Sequence, residues 1–437
     1  MVSKKSIGIG LLGFGVIGGQ VSKVLIEKTD LANLAGAPLE LKKIKVLPQD
    51  LDRPLAKTMD KRLFTTDDDE FFAEPDIDIV IEAIGGESPA FEYHARAIAA
   101  GKQIVTSNKE LIAKRGPELM ALADKQGVSL RYEASVGGGI PLISRFQYDL
   151  VANKITGIYA IINGTTNYIL TRMAKEGVDF AGALATAQKL GYAETNPVND
   201  VEGIDAAYKL AIMSSLAFHT KVSPDDIYRE GISRLASRDF QYAREFGFAI
   251  KLLAIAKDDD SVIEARVHPV FIPVDALLAQ VNGVYNAVLV EGDLVDKVLF
   301  FGQGAGPLAT SSAVVADVVA AAREICLGTS GKKIGRQAVP DRVVKPMADV
   351  DTRYYLRLSI DDRPGVLAQI ARVLGEHNIS ISSAIQKLTD KAAGTAEIVI
   401  ITAMAQEKNM QSALNELEGL PVVKEIGNFV RVEALKE

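Results

Sequence analysis

Two lysines stand in sequence contexts that could give them a chemical role. Asp205 and Lys209 are four residues apart in a helical pattern, so their side chains share one face and can pair. Apolar residues flank them, and burial lowers the pKa of a lysine whereas a nearby carboxylate raises it. On a buried helix Lys209 could therefore exchange a proton near neutral pH; an exposed salt bridge is the alternative. Lys109 follows a short strand pattern, at the sheet edge where open α/β folds bind ligands, and a surface lysine is the alternative there.

A glycine-rich motif lies near the start of the chain, after an apolar run at Ile7–Leu12 and before a helical pattern. Its glycines allow a tight turn, close approach of the backbone to a pyrophosphate, and close packing of helix on strand. The helix N-terminus that follows attracts phosphate groups. The sequence therefore predicts a dinucleotide site rather than a turn without a ligand. The motif consists of Gly13, Phe14, Gly15, Val16, Ile17 and Gly18.

The choice between NAD and NADP stays open on the sequence. An NAD site places an acidic residue after the second strand, whereas an NADP site places a basic residue there. Asp50, Arg53 and Lys57 all follow the second strand pattern, and Gln49 beside them is neutral.

The composition of the 437-residue chain argues against several classes of protein. Lys and Arg number 49 against 56 Asp and Glu, giving a net charge of −7, whereas nucleic-acid binding needs a basic face. No apolar run reaches the roughly 18 residues of a membrane span, and no signal-peptide pattern precedes the first strand. We therefore expect a cytoplasmic protein with no membrane or nucleic-acid partner. Cys326, the only cysteine, lies in an apolar helical pattern and is interpreted as a packing residue, which disfavours a cysteine-based acyl-enzyme mechanism.

Alternating strand and helix patterns predict an α/β protein of several domains. Long helical patterns are also predicted at Pro141–Val151 and Phe240–Ala256. The expected domains are a Rossmann-type parallel-sheet domain that binds the dinucleotide (1–135, with 302–327 returning to it), an α+β catalytic and dimerisation domain (136–301), a linker (328–353) and a ferredoxin-like βαββαβ domain (354–437).

Five segments of the chain are distinctive in combination: TSNK (106–109), EASVGGGIP (133–141), NGTTNYIL (163–170), GYAETNPVNDVEGIDAAYKL (191–210) and GQGAG (302–306). Taken together and in this order, they resemble the homoserine dehydrogenase family. The resemblance implies reduction of L-aspartate 4-semialdehyde to L-homoserine with NADH or NADPH, on the branch towards threonine and methionine. An oxidoreductase acting on another amino-acid semialdehyde, and a non-catalytic regulator that binds cofactor and amino acid, are the alternatives.

The resemblance implies roles for matching positions. Lys209 is the implied acid/base that exchanges a proton with the C4 oxygen, and Lys109 is a second lysine near cofactor and substrate. Glu194 and Asp205 are implied to hold the substrate, with Glu194 facing its ammonium group. The other implied positions are Asn163 and Thr165 at the floor of the substrate site, and Gly85, Ser107, Gly191 and Gly306 near the cofactor.

The resemblance also implies a monovalent cation, usually sodium, on the backbone carbonyls of one loop. Two residues depart from the family pattern: Asn196 stands where many members have Asp, and Gln49 where many have Arg. The second departure shifts the expectation slightly towards NAD or dual use. The implied cation loop is matched by Glu133, Val136, Gly138 and Ile140.

The C-terminal segment contains the run YYLRLSIDDRPGVLAQIARVLGEHNISISSAIQ (354–386). This run resembles an ACT domain. In that family a strand-to-helix turn binds a small amino acid between two copies, because helix N–H groups and a glycine let a carboxylate approach. This implies an amino-acid effector, with threonine the leading candidate, and a homodimer or homotetramer. A dimerisation module without a ligand is the alternative. The implied effector residues are Asp361, Gly365, Val366, Leu367, Asn378 and Ile379.

Overall fold

The computed structural model describes residues 4–259, 261–331, 342–390 and 392–435. The chain divides into two compact units, each of them built from separate segments. The first unit comprises the described residues within Met1–Ile155, Tyr208–Pro224 and Glu291–Asp341, and the second those within Thr156–Ala207, Asp225–Val290 and Arg342–Glu437. Within these described ranges, no helix is both long enough and apolar enough to cross a membrane.

Strands and helices alternate in the N-terminal part of the chain. In order they are β1 (Ile7–Leu12), α1 (Val16–Glu27), α2 (Leu31–Ala35), β2 (Leu39–Lys45), α3 (Pro54–Thr58), β3 (Phe64–Thr65), α4 (Asp68–Ala73), β4 (Ile79–Glu82), α5 (Ala90–Ala99), β5 (Gln103–Thr106), α6 (Lys109–Gln126) and β6 (Leu130–Arg131).

Longer strands follow in the rest of the chain. In order the elements are β7 (Ile155–Ile161), α7 (Gly164–Glu176), α8 (Phe180–Lys189), α9 (Val198–Val201), α10 (Ile204–Ala217), β8 (Tyr228–Arg229), α11 (Ser237–Glu245), β9 (Phe248–Asp258), β10 (Val262–Pro273), β11 (Tyr285–Gly292), β12 (Asp296–Gln303) and α12 (Pro307–Leu327). The C-terminal elements are β13 (Val343–Val344), β14 (Asp351–Asp361), α13 (Val366–Glu376), β15 (Ile381–Asp390), β16 (Thr395–Thr402), β17 (Ala405–Gln406), α14 (Glu407–Glu418) and β18 (Val423–Val432).

The first unit is built on a parallel sheet with the strand order β3-β2-β1-β4-β5-β6. This order is that of a dinucleotide-binding sheet, so the Rossmann-type expectation is confirmed. Strand β1 is buried along its whole length, because helices cover both faces of such a sheet. Helix α12 packs on it, with Val314 and Val318 in the same apolar core as Ile9 and Ile79.

The second unit contains a sheet with the order β11-β7-β9-β10-β18-β14-β16-β15. Its last four strands, with α13 and α14, form the predicted ferredoxin-like βαββαβ unit. This unit joins the rest of the sheet through β18, which pairs in parallel with β10 at Val270–Arg431 and Phe271–Val432.

Buried ion pairs reinforce that junction inside the second unit. Arg431, 1% exposed, pairs with Glu407 (2.6 Å) and Glu230 (2.9 Å). Arg357 pairs with Asp239 (2.8 Å), whose other carboxylate oxygen accepts from the backbone of Ala236. Loss of one partner would leave a buried charge uncompensated, at a cost of about 3–5 kcal/mol.

The helix predicted at Phe240–Ala256 is wrong. Helix α11 ends at Glu245, Gly247 turns the chain with φ +78°, and β9 starts at Phe248. Apart from Lys251, the run IKLLAIA is apolar on both faces, so its periodicity cannot separate a buried strand from a buried helix. The predicted helix at Pro141–Val151 is reduced to a short turn with a π-helical stretch at Arg145–Asp149. Residues 332–341 of the expected linker lie outside the described residues.

Candidate functional site

The glycine motif forms a tight turn between β1 and α1. Gly13 has φ +92°, a left-handed conformation that favours glycine. A Cβ on Gly18 would lie 2.1 Å from the Gly13 carbonyl oxygen, whereas a Cβ on Gly15 would meet nothing within 4 Å. No side chain caps α1, so its first N–H groups can serve a phosphate. Phe14 is buried, with its ring edge-on to that of Phe64, so its side chain serves the core.

Glu82, which the sequence analysis did not single out, organises the loop after β4. Its carboxylate is fully buried and accepts hydrogen bonds from the backbone N–H groups of Ile84 (2.7 Å) and Gly85 (2.9 Å). It also accepts one from the Thr106 hydroxyl (2.7 Å), and the His94 imidazole lies 3.4 Å away. Burial raises the pKa of Glu82, but His94 and these hydrogen bonds outweigh it, so the pKa lies below its usual value.

Lys109 begins α6 at the carboxyl end of β5 and is partly buried. Asn108 caps this helix, since its Oδ1 accepts from the Leu111 N–H (3.0 Å). The Asn108 amide also donates to the Gly86 carbonyl (2.7 Å), and the Ser107 N–H points to the Glu82 carbonyl (3.5 Å). The segments that carry Gly85, Ser107 and Lys109 are thus tied together at one edge of the sheet.

Lys209 lies on α10 with only 8% of its surface exposed. Within the first unit, α6 runs beside this part of α10: the Lys114 ammonium lies 5.6 Å from the centre of the Tyr208 ring. A cavity of about 550 Å³ separates the two helices further along, lined by apolar residues that include Ile112, Met120, Ile212 and Leu216. The structure thus brings the segments of Lys109 and Lys209 onto neighbouring helices.

A hydrogen-bonded group in the second unit centres on Asn163. Its Oδ1 accepts from the Thr166 N–H (2.9 Å) and caps α7, while its Nδ2 donates to Asp200 (2.7 Å) and Asp205 (2.9 Å). Asn163 and Asp205 are 5% and 4% exposed. The structure therefore joins two predicted substrate residues and adds Asp200, which was not predicted from the sequence.

The turn after α8 carries Gly191 and Glu194, both exposed. The Thr165 hydroxyl donates to the Tyr192 carbonyl (2.6 Å), which links this turn to the start of α7. The Glu194 carbonyl accepts from Gln188 Nε2 (3.1 Å).

Glu133 holds the predicted cation loop with its side chain. Its carboxylate accepts from the N–H groups of Leu142 (2.7 Å), Ile143 (2.8 Å) and Ser144 (2.8 Å). Because both carboxylate oxygens are engaged by the backbone, the ligands that the loop can offer a cation are its backbone carbonyl oxygens. Carbonyl oxygens are hard donors of the kind a sodium ion accepts. Within the described ranges, no cluster of three or more His, Cys, Asp or Glu side chains could hold a metal.

Glycines also let the cation loop approach the segment before α12. A Cβ on Gly138 would lie 2.5 Å from the Gly304 carbonyl oxygen, and the Gly139 N–H donates to the Gln303 carbonyl (3.0 Å). Gly306, with φ +108°, is the N-cap of α12. Val136 and Ile140 are buried in this loop.

The implied effector residues lie at the two ends of α13. Gly365, with φ +88°, caps its start, where Leu367 is exposed and Val366 is buried. Asn378, with φ +58°, and the buried Ile379 follow its end. An 11-residue helix is about 16 Å long, so a single copy does not bring the two groups together. The hydrogen bond from Lys424 holds the pKa of Asp361 below its usual value.

Comparison with protein families finds three matching models. The model for homoserine dehydrogenase matches residues 141–319, and that for the homoserine dehydrogenase NAD-binding domain matches 13–133. The ACT domain model matches residues 354–422.

Individual relatives match nearly the whole chain. The homoserine dehydrogenase of Neisseria gonorrhoeae is 42% identical, covering 99% of this chain and 100% of its own length. That of Corynebacterium glutamicum is 40% identical over 98% of this chain and 96% of its own. The crystal structure of a homoserine dehydrogenase from Thiobacillus denitrificans has a TM-score of 0.92 at 41% identity and covers 99% of each chain. A hyperthermophilic archaeal homoserine dehydrogenase in complex with NADPH has a TM-score of 0.62 at 26% identity, covering 72% of this chain and 97% of its own.

Replacing Glu82 by Ala should destabilise the first unit and weaken dinucleotide binding. The variant removes the acceptor of the buried Thr106 hydroxyl and of two partly buried backbone N–H groups, at a cost of about 2–4 kcal/mol in total. Because the folded pKa is lowered, this stabilisation is present above about pH 4.5 and is lost as the carboxylate protonates at lower pH. Urea denaturation and fluorescence titration with NADPH measure the two effects.

The matched control is Glu87→Gln, in the same loop, where the side chain is 40% exposed and pairs with Lys114 and Arg115. Exposed pairs contribute about 0–1 kcal/mol, so this variant should behave like the wild type. Equal stability and equal NADPH affinity in the Glu82→Ala and wild-type proteins would contradict the role of Glu82.

Proposed function

The chain belongs to the homoserine dehydrogenase family of oxidoreductases, and on that premise we propose that it interconverts L-aspartate 4-semialdehyde and L-homoserine with a nicotinamide dinucleotide. One observation carries the assignment of roles. Lys209 is a nine-tenths buried lysine on α10, beside the helix α6 that Lys109 begins. A buried lysine next to a second lysine-bearing segment is more typical of a catalytic proton donor than of a solvated surface residue.

The chemistry requires charge stabilisation at the carbonyl oxygen. When bound, the reduced dinucleotide supplies the hydride to C4 of the aldehyde. Negative charge then builds on the C4 oxygen, where the Lys209 ammonium stabilises it and donates the proton that completes the alcohol. In the reverse direction neutral Lys209 takes the hydroxyl proton. Lys109 supplies a second cation near cofactor and substrate.

The remaining roles follow the family positions. We propose that Glu194 faces the substrate ammonium group and that Asp205, with Asn163 and Thr165, holds the substrate. Asp205 is one helical turn before Lys209 on α10. The proposed cofactor contacts are the Gly13–Gly18 turn, Gly85, Ser107, Lys109, Gly191 and Gly306.

We propose that the cofactor is NAD or NADP, with Gln49 favouring NAD or dual use over NADP alone. The Asp50 carboxylate pairs with Arg53 (2.8 Å) and accepts from the Leu47 N–H (3.3 Å), so the nearest acid and base neutralise each other. The archaeal relative in complex with NADPH supports use of the phosphorylated form. A sodium ion on the carbonyls of the cation loop, Glu133, Val136, Gly138 and Ile140, is part of the same proposal. A cytoplasmic location stays a prediction.

Replacing Lys209 by Met tests the acid/base assignment. The purified wild type should reduce NAD or NADP in the presence of L-homoserine, and the variant should lose about 10²–10⁴-fold in kcat because general acid/base catalysis is lost. Steady-state kinetics measures turnover, and fluorescence titration should show NADPH affinity within about twofold of wild type, since the cofactor turn is intact.

The control is Lys125→Met, an exposed lysine in the last turn of α6. It should keep wild-type turnover. A Lys209→Met protein with turnover within a few-fold of wild type would remove Lys209 from the chemistry. A wild type that oxidises the alcohol of another amino-acid semialdehyde, but not homoserine, would favour an oxidoreductase of different substrate.

For the C-terminal domain we propose an effector site shared by two copies of the chain. The support is that Gly365 and Asn378 lie at opposite ends of α13, so one copy offers only half of the implied residue set. Threonine is the proposed effector, and a homodimer or homotetramer is the proposed assembly. Regulation further requires that threonine binds two states of the enzyme unequally.

Calorimetry with millimolar L-threonine on the full chain should show saturable heat. The Asp361→Ala variant should bind more weakly, because it removes the carboxylate that pairs with Lys424 (2.7 Å) in the effector turn. The exposed Glu418→Gln change at the end of α14 is the control. Absence of heat in the wild type would favour a dimerisation module without a ligand.

A further inference from the structure

Lys251 is a buried lysine that the proposed chemistry does not use. It lies on β9 in the second unit and is 3% exposed. Its ammonium donates to the Val281 carbonyl and lies 3.3 Å from Asn282 Oδ1 and 3.4 Å from Asn167 Oδ1. These acceptors are neutral, and within the described ranges no carboxylate forms an ion pair with it. Burial, with a smaller effect from Lys175, lowers its pKa to about 8.

A buried ammonium lowers the free energy of unfolding, because hydrogen bonds to neutral oxygens compensate only part of its lost hydration. An apolar side chain of similar length, such as methionine, would fill the same space at lower cost. Lys251 therefore needs a role other than stabilising the core, and its acceptors indicate which one.

The three acceptors belong to two segments that Lys251 fastens together. Asn167, on the second turn of α7, donates through Nδ2 to the carbonyls of Val281 (3.2 Å) and Tyr285 (3.0 Å). The Gly283 N–H donates to the Thr171 hydroxyl on the next turn of α7 (3.0 Å). The loop 281–285 is thus bound along α7, with the Lys251 ammonium at the centre of the contact.

The same helix carries the candidate substrate group at its start. The Asn167 N–H donates to the Asn163 carbonyl (3.2 Å), one turn earlier. Asn163 in turn caps α7 and donates to Asp200 and Asp205. A shift of Asn167 therefore moves the cap and its carboxylate partners.

We propose that Lys251 is a positioning residue for the substrate site: by holding Asn167 and the Val281 carbonyl, it fixes the first turn of α7 and the Asn163–Asp205 contact. The inference deepens the proposed function and rests on it. Lys251 acts through α7, whose start carries Asn163 and Thr165, so its main effect falls on substrate binding.

Steady-state kinetics of Lys251→Met at pH 7 tests the proposal. The KM for L-homoserine should rise at least about tenfold, whereas the NADPH dissociation constant should stay within about twofold. Lys408→Met, a change at an exposed lysine in the first turn of α14, is the control and should keep the wild-type KM. A purely structural role would lower the amount of active enzyme without changing the homoserine KM.

A second variant covers the case in which Lys251→Met does not fold. Asn167→Leu removes the acceptor and should raise the homoserine KM similarly, and the double variant should be no worse than either single change. An unchanged homoserine KM in Lys251→Met overturns the positioning role. If that variant does not fold, an unchanged KM in Asn167→Leu overturns it. In either case an active wild type leaves the proposed function unaffected. A wild-type protein without homoserine-dependent activity would instead contradict the proposed function itself.

Discussion

The glycine-rich loops of this molecule keep their shape because buried side-chain oxygens accept their backbone N–H groups. Glu82 does so for Ile84 and Gly85, Glu133 for Leu142, Ile143 and Ser144, and Asn163 for Thr166. Glycines that permit close backbone approach have no side chain of their own to hold the chain, so the order must come from a neighbour. Each acceptor lies at the end of a strand or the start of a helix that carries proposed site residues. The proposed sites thus depend on a few buried carboxylate and amide side chains that hold the backbone around them.

Features that depend on residues close together in the chain could be predicted from the sequence, whereas contacts between distant residues could not. The Gly13–Gly18 turn and the βαββαβ order were predictable, because turn chemistry and short periodic patterns report on neighbours in the chain. The strand β9 was missed because IKLLAIA, apart from Lys251, is apolar on both faces. Glu82 and Lys251 share a signal that could have identified them: each is a charged residue within an apolar run, and such a residue needs partners when the run is buried. Asp200 carries no such signal, since its contact with Asn163 spans 37 residues and depends on the fold.

The C-terminal ferredoxin-like domain is not simply tethered to the rest of the second unit. Its β18 continues the sheet of β10, and the Arg431 and Arg357 ion pairs connect it to Glu230 and Asp239. An effector bound at one end of α13 would influence catalysis only if these contacts differ between two states. A continuous sheet with buried charges favours discrete rearrangement over gradual deformation, because an unpaired buried charge is costly.

The central claim is that Lys109 and Lys209 lie together beside the bound substrate and dinucleotide, with Lys209 at the reacting oxygen. The most direct measurement is a crystal structure of the full chain with L-homoserine and a non-reactive dinucleotide analogue. The account predicts the Lys209 Nζ at about 2.7–3.2 Å from the homoserine hydroxyl oxygen, with Lys109 on the same side of the bound ligands. A Lys209 ammonium directed away from that oxygen, or lysines on opposite faces of the molecule, would contradict it.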